Sequence, residues 1–517
     1  MCSLEWHEVL RFAQDDKRAS EARTKSRRQN SLPTSRPIPY IAPVPSSNNK
    51  LLEGPILRSL LTLAVPIVLA NVLQSAYQII DAFWVGRLGG AAIAAVSVSF
   101  PVMFLMVAVG AGLSIAGSTL IAQYVGARNE KMVGHVAGQT LLMVVLAAVV
   151  LGAIGYVTAP LLLRLMGVGP DVYGGALGFM RVSFLGLVFN FSFFVFQGIM
   201  RSIGRPALPV YIVLGTVFLN FAVNPLMIFG WGPIPGHGVM GAALTTLITQ
   251  GVASLIGIAV LRRGLHGVHV RAGDLIPDFE HIKRAFFLGL PASIDMSARA
   301  VGLMMMTFLV TSFGTLSLAA YGVGGNVLQS VAIIPGIGLS IAVAALAGQN
   351  IGAGNIDRAE KIGRLGAWLG FSVLTGFGLL VFLFAAPIVA FFVPSDAEVI
   401  AEGAHFLRIM ALSWGFYGAQ FALIGVFRAA GSMMVSMLLT VVSQWVLQLP
   451  IAYVLSKHTS LGVDGIYWSL PISTVLIFFV TIAVFAKGGW RKRRLIGDEE
   501  KLRNRVTDEI LSDEAPR

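Results

Sequence analysis

One carboxylate, Asp81, falls within an otherwise apolar run and shares a helix face with three amides. Asn71, Gln74, Gln78 and Asp81 follow the i, i+3, i+7, i+10 spacing that brings side chains to one side of a helix. Carboxylate and amide oxygens in that pattern can hold a proton or a desolvated cation. They cannot make a covalent intermediate. A charge at mid-bilayer costs at least about 2.5–3.5 kcal/mol on insertion scales, so Asp81 needs a reason to be there. Amides alone are explained as interhelical glue, worth about 0.6–2 kcal/mol each; glue accounts poorly for the acid. A second polar pair, Asn220 and Asn224, lies one turn apart just before Pro225. The proline removes a backbone donor and frees a carbonyl beside them, an arrangement suited to a cation. Gln444 and Gln448 precede Pro450 in the same manner, so a structural role for the asparagine pair stays open.

Elements able to position these groups follow from an internal repeat. GLSIAGSTLIAQYVGARN (112–129) aligns without a gap on GLSIAVAALAGQNIGAGN (338–355). LAVPIVLA (63–70) aligns on LGLPASID (288–295), and IMRSIG (199–204) on VFRAAG (426–431). The chain is one half, duplicated and fused. Hydrophobic residues make up 56% and charged residues 12% of it, well below the roughly 25% charged of soluble domains. Apolar runs long enough for a bilayer fall at 57–80, 92–119, 133–157, 172–199, 207–229, 239–261, 285–311, 317–346, 363–390, 400–427, 434–455 and 465–486. The fold class is therefore an all-α membrane protein of twelve transmembrane helices. Two six-helix lobes are expected, at 51–261 and 285–487, related by a parallel internal repeat. Residues 1–50, polar and rich in proline, read as a disordered cytoplasmic tail; 262–284 reads as a cytoplasmic linker and 488–517 as a charged cytoplasmic tail. Basic residues concentrate in the loops on the side of both termini, leaving Arg87, Arg164 and Lys457 opposite, which places both termini in the cytoplasm. The net charge of +12 follows from that distribution and does not call for nucleic acid.

The halves differ where chemistry is concerned. At the repeat offset, Asn71, Gln74, Gln78 and Asp81 correspond to Met296, Arg299, Leu303 and Met306. The second half thus lacks the acid and offers Met304, Met305 and Met306 with an Asp295–Arg299 pair at i,i+4 spacing, which most simply neutralises itself. Three successive methionines cannot share a face, so packing claims some of them. His266, His269 and His281 are irregularly spaced and the only cysteine is Cys2, so a solvated linker is expected there and no metal cluster. No intramembrane His pair, nucleophile–base set or G-x-x-x-x-G-K-[ST] run exists, which argues against an intramembrane enzyme and ATP-driven transport.

Several segments together resemble the multidrug and toxin extrusion (MATE) family of ion-coupled antiporters. They are QIIDAFWVGRLGGAAIAAVSV (78–98), AQYVGARN (122–129), FQGIMRSIGRP (196–206), NFAVNPLMIFG (220–230) and GVMGAALTT (238–246), with AGQNIGAGN (347–355) and GVFRAAG (425–431) in the second half. The first-helix wording is closest to the bacterial DinF-like side. The resemblance implies a V of two lobes around a central cavity, in a monomer of the plasma (inner) membrane. It further implies export of small amphipathic cations, against protons or sodium, by alternating access. Asp81 matches the family's coupling acid, and Asn220 and Asn224 match the fifth-helix positions that complete the ion site with it. Arg299 stands near a seventh-helix glutamate of another branch, so coupling should fall to the first lobe. Gln74, Tyr77, Gln78, Arg299, Met305 and Met306 are the expected cavity residues, joined by Met106, Phe189 and Trp414 as wall. No cofactor is expected beyond the coupling proton or sodium, and sodium at Asp81 is the only metal. Membrane lipid is the remaining partner. A lipid-intermediate flippase of related architecture is the alternative; it would call for a strongly charged cavity and usually extra helices.

Overall fold

A computed structural model describes residues 51–264, 267–394 and 396–496. The expected tail at 1–50, His266 and most of the C-terminal tail lie outside the described residues. The first lobe is built from α1 (Ile56–Gly86), α2 (Gly90–Gly126), α3 (Glu130–Leu165), α4 (Pro170–Ser202), α5 (Ala207–Phe229) and α6 (Val239–Arg262). A two-residue antiparallel ribbon, β1 (Gly230–Trp231) with β2 (Ile234–Pro235), turns the chain between α5 and α6. The second lobe holds α7 (Phe279–Thr311), α8 (Thr315–Leu328), α9 (Ile334–Gly352), α10 (Ile356–Leu383) and the short α11 (Ala385–Phe392). It continues with α12 (Ala397–Ala411), α13 (Trp414–Ala429), α14 (Met433–Val441), α15 (Leu449–Lys457) and α16 (Val463–Lys487). Eleven of these helical stretches are long and apolar enough to cross a membrane, twelve with α12 and α13 taken as one span bent by 49°.

Helices dominate because a bilayer core offers no water to backbone groups, so each span must satisfy its own ladder. Where α7 and α12 begin, Asp278 and Asp396 cap the free N–H groups of the following turn. Two spans expected to be continuous helices are interrupted by π turns: Gln329–Ile333 between α8 and α9, and Val442–Gln448 between α14 and α15. Gln444 and Gln448 sit in the second of these, whereas Asn220 and Asn224 lie in the regular α5. The repeat mates therefore occupy different backbones.

The duplicated GLSIA runs mark where the lobes cross. A Cβ built on Gly112 of α2 would lie 2.3 Å from the Ser293 backbone of α7; one on Gly338 of α9 would lie 2.5 Å from the Val68 side chain of α1. Fourteen residues further along each helix the approach is closer still. A Cβ on Gly126 would meet the Gln349 carbonyl at 1.8 Å, and one on Gly352 the Gln123 carbonyl at 1.9 Å. Only glycine fits such backbone contacts, as at other small-residue crossings in membranes. The same glutamines bond across the seam in reciprocal fashion: Gln123 donates to the Ala429 carbonyl at 2.8 Å, and Gln349 to the Ser202 carbonyl at 2.7 Å. The lobes are thus clasped at the end of the bundle that carries the linker.

Two segments outside the spans are more ordered than expected. The linker lies on the start of α3, where Gly134 and Gly138 leave room for the His269 and Asp274 carbonyls. Gln139 donates to the Asp274 and Ile276 carbonyls at 2.8 and 2.7 Å and accepts from the Asp278 N–H at 2.9 Å. After α16, Trp490 stacks on Phe485 with ring centroids 5.2 Å apart, and the Leu495 N–H donates to Gln123 Oε1 at 2.9 Å. Residues 489–496 therefore seal the clasped end and are not part of a free tail.

Candidate ion and substrate site

Three helices of the first lobe each contribute two polar rungs. Tyr77 and Asp81 are one turn apart on α1, Asn220 and Asn224 one turn apart on α5, and Thr246 and Thr249 nearly so on α6. The i,i+3 and i,i+4 spacings make each pair a short ladder, and packing of α1 and α6 against α5 brings the ladders together. Asp81 Oδ1 accepts from Asn220 Nδ2 at 2.8 Å and from Asn224 Nδ2 at 2.7 Å. Asp81 Oδ2 accepts from the Thr246 hydroxyl at 3.4 Å. Tyr77 is buried with its hydroxyl 2.6 Å from Thr249 Oγ1 and 3.3 Å from Thr246 Oγ1, so a hydroxyl chain leads to the carboxylate.

The electrostatics of this cluster are unusual for a packed interior. All three donors to Asp81 are neutral, so they orient the carboxylate without cancelling its charge. Asn220 and Asn224 are 0% exposed. Asn224 also donates to Asn220 Oδ1 at 3.2 Å, which leaves its own Oδ1 buried with no hydrogen-bond partner among the described residues. A buried acceptor left without a donor costs about 1–3 kcal/mol. An unsatisfied acceptor on a residue bonded to an uncancelled carboxylate, which also receives the Thr246 hydroxyl, makes the kind of oxygen-rich environment in which a proton or a small hard cation is held. Asp81 lies near the end of α1 remote from the clasp, and Thr246 near the start of α6, so the site sits toward the opposite end from the linker.

The remaining expected residues scatter. Gln74 is half-buried and Gln78 exposed on the α1 stripe. Met305 is exposed, while Met306 is 1% exposed and packs with Val310, Tyr321 and Phe406 in the second lobe's core. Steps of 100° separate successive helical residues, so one of three methionines faces the core and its neighbours do not. Trp414 is fully buried and packs with Leu374 and Leu407; Phe189 and Met106 are half-buried in the first lobe.

Arg299 belongs to a separate cluster. Its Nε lies 3.2 Å from Asp295 Oδ1 and its terminal nitrogen donates to Thr440 at 2.7 Å. The Asp295–Arg299 pair does not close on itself, because Arg428 of α13 donates to Asp295 Oδ2 at 2.7 Å. Two guanidiniums on one carboxylate leave this cluster with one positive charge, opposite in sign to the first-lobe site. Arg428 itself is buried in the last turn of α13. Gln444 donates to the Arg299 carbonyl at 3.3 Å and fills the space left by Gly302, so it is a packing contact between α7 and the π turn. Sequence reasoning passed over Thr246 and Thr249. Their signal was available as hydroxyls at i,i+3 on an apolar helix, yet nothing in the sequence says that this face meets Asp81.

The repeat is matched in known proteins. A family model described as MatE matches residues 66–226 and again 291–454, once per lobe. The chain is 31% identical over 443 residues to a probable multidrug resistance protein, YoeA, of Bacillus subtilis, covering 85% of this chain and 95% of the relative. It is 26% identical over 447 residues to a probable multidrug resistance protein, NorM, of Thermotoga maritima, covering 86% and 95%. A solved structure described as an outward-facing conformation of a multidrug resistance MATE family transporter shares the fold with a TM-score of 0.80 at 23% identity, over 87% of this chain and 99% of that one. The family match, the duplication and the apolar spans define a multi-pass membrane transporter and not an enzyme. The chain belongs to the MATE family.

Proposed function

We propose that this protein exports small amphipathic cations in exchange for a proton or a sodium ion, with Asp81 as the shared binding group. The observation that carries the reading is the carboxylate held by neutral donors beside the unsatisfied Asn224 Oδ1. A proton on Asp81 and a cation beside its carboxylate exclude each other. Exclusive occupancy is what an exchanger requires. Asn220, Asn224 and Thr246 orient the acid, and Asn224 Oδ1 is free to face an entering ion. Relatives named as multidrug resistance proteins support an apolar, adaptable substrate class. The clasp at the linker end is one face of an alternating-access cycle in which the lobes rock about the GLSIA crossings.

Energetics constrain the stoichiometry. One net charge moved across 100 mV supplies about 2.3 kcal/mol, equivalent to roughly a fiftyfold gradient at about 1.4 kcal/mol per tenfold. A one-for-one swap of a proton for a monovalent cation moves no net charge and draws on the pH gradient alone. In proteoliposomes, an imposed pH or sodium gradient should drive uptake or efflux of a quaternary ammonium dye. Transport driven equally well with both gradients collapsed would overturn the exchange reading.

The lobes should respond differently to loss of an amide. Asn224→Ala is expected to shift the ion dependence of transport by roughly tenfold or more, since it deletes a donor to Asp81 and the spare acceptor, each worth about 1–3 kcal/mol. Gln444→Ala is expected to lower thermal stability and leave the ion dependence in place. Equal ion-dependence shifts from both would remove the first-lobe assignment.

A further inference from the structure

The strongest unassigned cluster lies at the linker end, remote from Asp81. His135 comes from the second turn of α3, Asp278 caps α7, and His281 lies in the first turn of α7. We infer that His135, Asp278 and His281 form a binding site for a borderline divalent transition cation of the zinc class. The cation would bind from the linker side and tie α3 of the first lobe to the start of α7 of the second.

Geometry carries most of the argument. Asp278 Oδ2 is 3.4 Å from His135 Nε2 and 3.2 Å from His281 Nδ1, and one ligand atom from each of the three residues lies within 4.8 Å of the others. A tetrahedral ion with bonds of about 2.0–2.2 Å separates neighbouring ligand atoms by roughly 3.4 Å. Two of the three separations already have that value. The imidazoles stand nearly perpendicular, 85° between planes with centroids 5.2 Å apart, so a modest rotation completes the set. Asp278 is pre-oriented: its other oxygen accepts from the Glu280 and His281 N–H groups at 3.1 and 3.2 Å as the helix cap, which turns Oδ2 toward the imidazoles.

The donor chemistry selects the ion. Two imidazoles with one carboxylate suit zinc, cobalt or nickel, whereas magnesium and calcium prefer oxygen throughout. Asp274 Oδ1 stands 3.9 Å from His135 Nδ1, on the side of the ring away from Asp278. A carboxylate on that side, once it closes to hydrogen-bond distance, accepts from the non-ligating N–H and fixes the tautomer that a metal needs. The side chains are between 16% and 38% exposed, enough for an ion to enter and for water to complete its coordination. The expected picture of a solvated linker histidine thus holds for exposed His269 and fails for His281, because the fold delivers His135 from a segment some 145 residues earlier.

The test uses the full chain, purified in detergent by a tag without histidine and stripped with a chelator. Cobalt(II) is added and its visible d–d absorption followed, with zinc(II) as competitor. The expected result is one saturable site per chain, displaced by zinc. His135→Ala and His281→Ala should each weaken it at least about tenfold, as should Asp278→Asn, which keeps a capping side chain while removing the anionic ligand. His405→Ala, whose imidazole pairs with Asp464 elsewhere at 3.1 Å, should leave binding unchanged. Size-exclusion profiles establish that each variant is folded, and Asp278→Asn decides the matter if a histidine variant is not. Absence of a saturable signal, or binding that survives Asp278→Asn and His135→Ala, would overturn the site and leave a plain imidazole–carboxylate clasp.

Discussion

Asp81→Asn is expected to reduce gradient-driven export to the level of empty proteoliposomes while leaving expression and chromatographic behaviour unchanged. An asparagine there can still accept from Asn220 Nδ2 and Asn224 Nδ2 through its carbonyl oxygen, so the packing of α1 on α5 survives. What disappears is the charge. Attraction between a carboxylate and a monovalent cation at about 4 Å is worth roughly 4 kcal/mol at an effective dielectric of about 20. That figure corresponds to about a thousandfold in cation occupancy at about 1.4 kcal/mol per tenfold. In the proposed exchange, the substitution also removes the group that would alternate between proton and cation. Dye efflux under imposed gradients, with binding of the same dye measured separately in detergent, checks both consequences. Normal gradients built by the variant would exclude Asp81 from the mechanism.

Gly126→Ala combined with Gly352→Ala is expected to abolish export by a different route. Each new methyl would fall within 2 Å of a backbone carbonyl of the opposite lobe, and backbone cannot rotate away as a side chain can. Overpacking of this kind costs about 1–3 kcal/mol per site. Two sites therefore disfavour the clasped state by roughly 30-fold to 10⁴-fold, approaching the ~5.5 kcal/mol that converts a 99:1 population into its inverse. The lobes should part at the linker end and the cycle should stall there. With Cys2→Ser as background, Ser118→Cys, half-buried on α2 in the pocket shared with Ser340 of the other lobe, reports the change: thiol labelling should be slow with both glycines present and fast in the double variant. Unchanged labelling and retained export would mean that the clasp does not gate transport.

The two variants fail differently, which separates chemistry from conformation. Asp81→Asn should leave seam labelling as it is and uncouple the ion. The double glycine variant should leave the ion site intact, since Asp81, Asn220, Asn224 and Thr246 all lie within the first lobe and toward its other end. Labelling that rises in both would couple the acid directly to the seam.

Much of this protein is determined by its sequence alone. Twelve apolar runs with few charges leave helices as the backbone's option in a bilayer, and the aligned GLSIA and Q-x-x-G segments establish the duplication. Asp81 stands out because an acid in apolar surroundings is costly wherever the neighbours turn out to be, and Asn220 with Asn224 shares a helix face by spacing alone. The sequence is silent on which faces meet. Thr246 and Thr249 reach Asp81 and Tyr77 only through the packing of α5 and α6, and an i,i+3 pair of hydroxyls is too common to predict that. Arg428 reaches Asp295 from more than a hundred residues away, so the apparent neutrality of the Asp295–Arg299 pair is a local truth that tertiary contact overrides. Each π turn ends two residues before a proline, Pro335 or Pro450, whose missing N–H is legible in the sequence, whereas the bend between α12 and α13 at Leu412–Ser413 has neither proline nor glycine to announce it. His135 and His281 are ordinary residues until the linker folds onto α3. Local physics sets helices and cost; the direction each face points is settled only when the lobes pack, because that energy resides in pairs of residues distant along the chain.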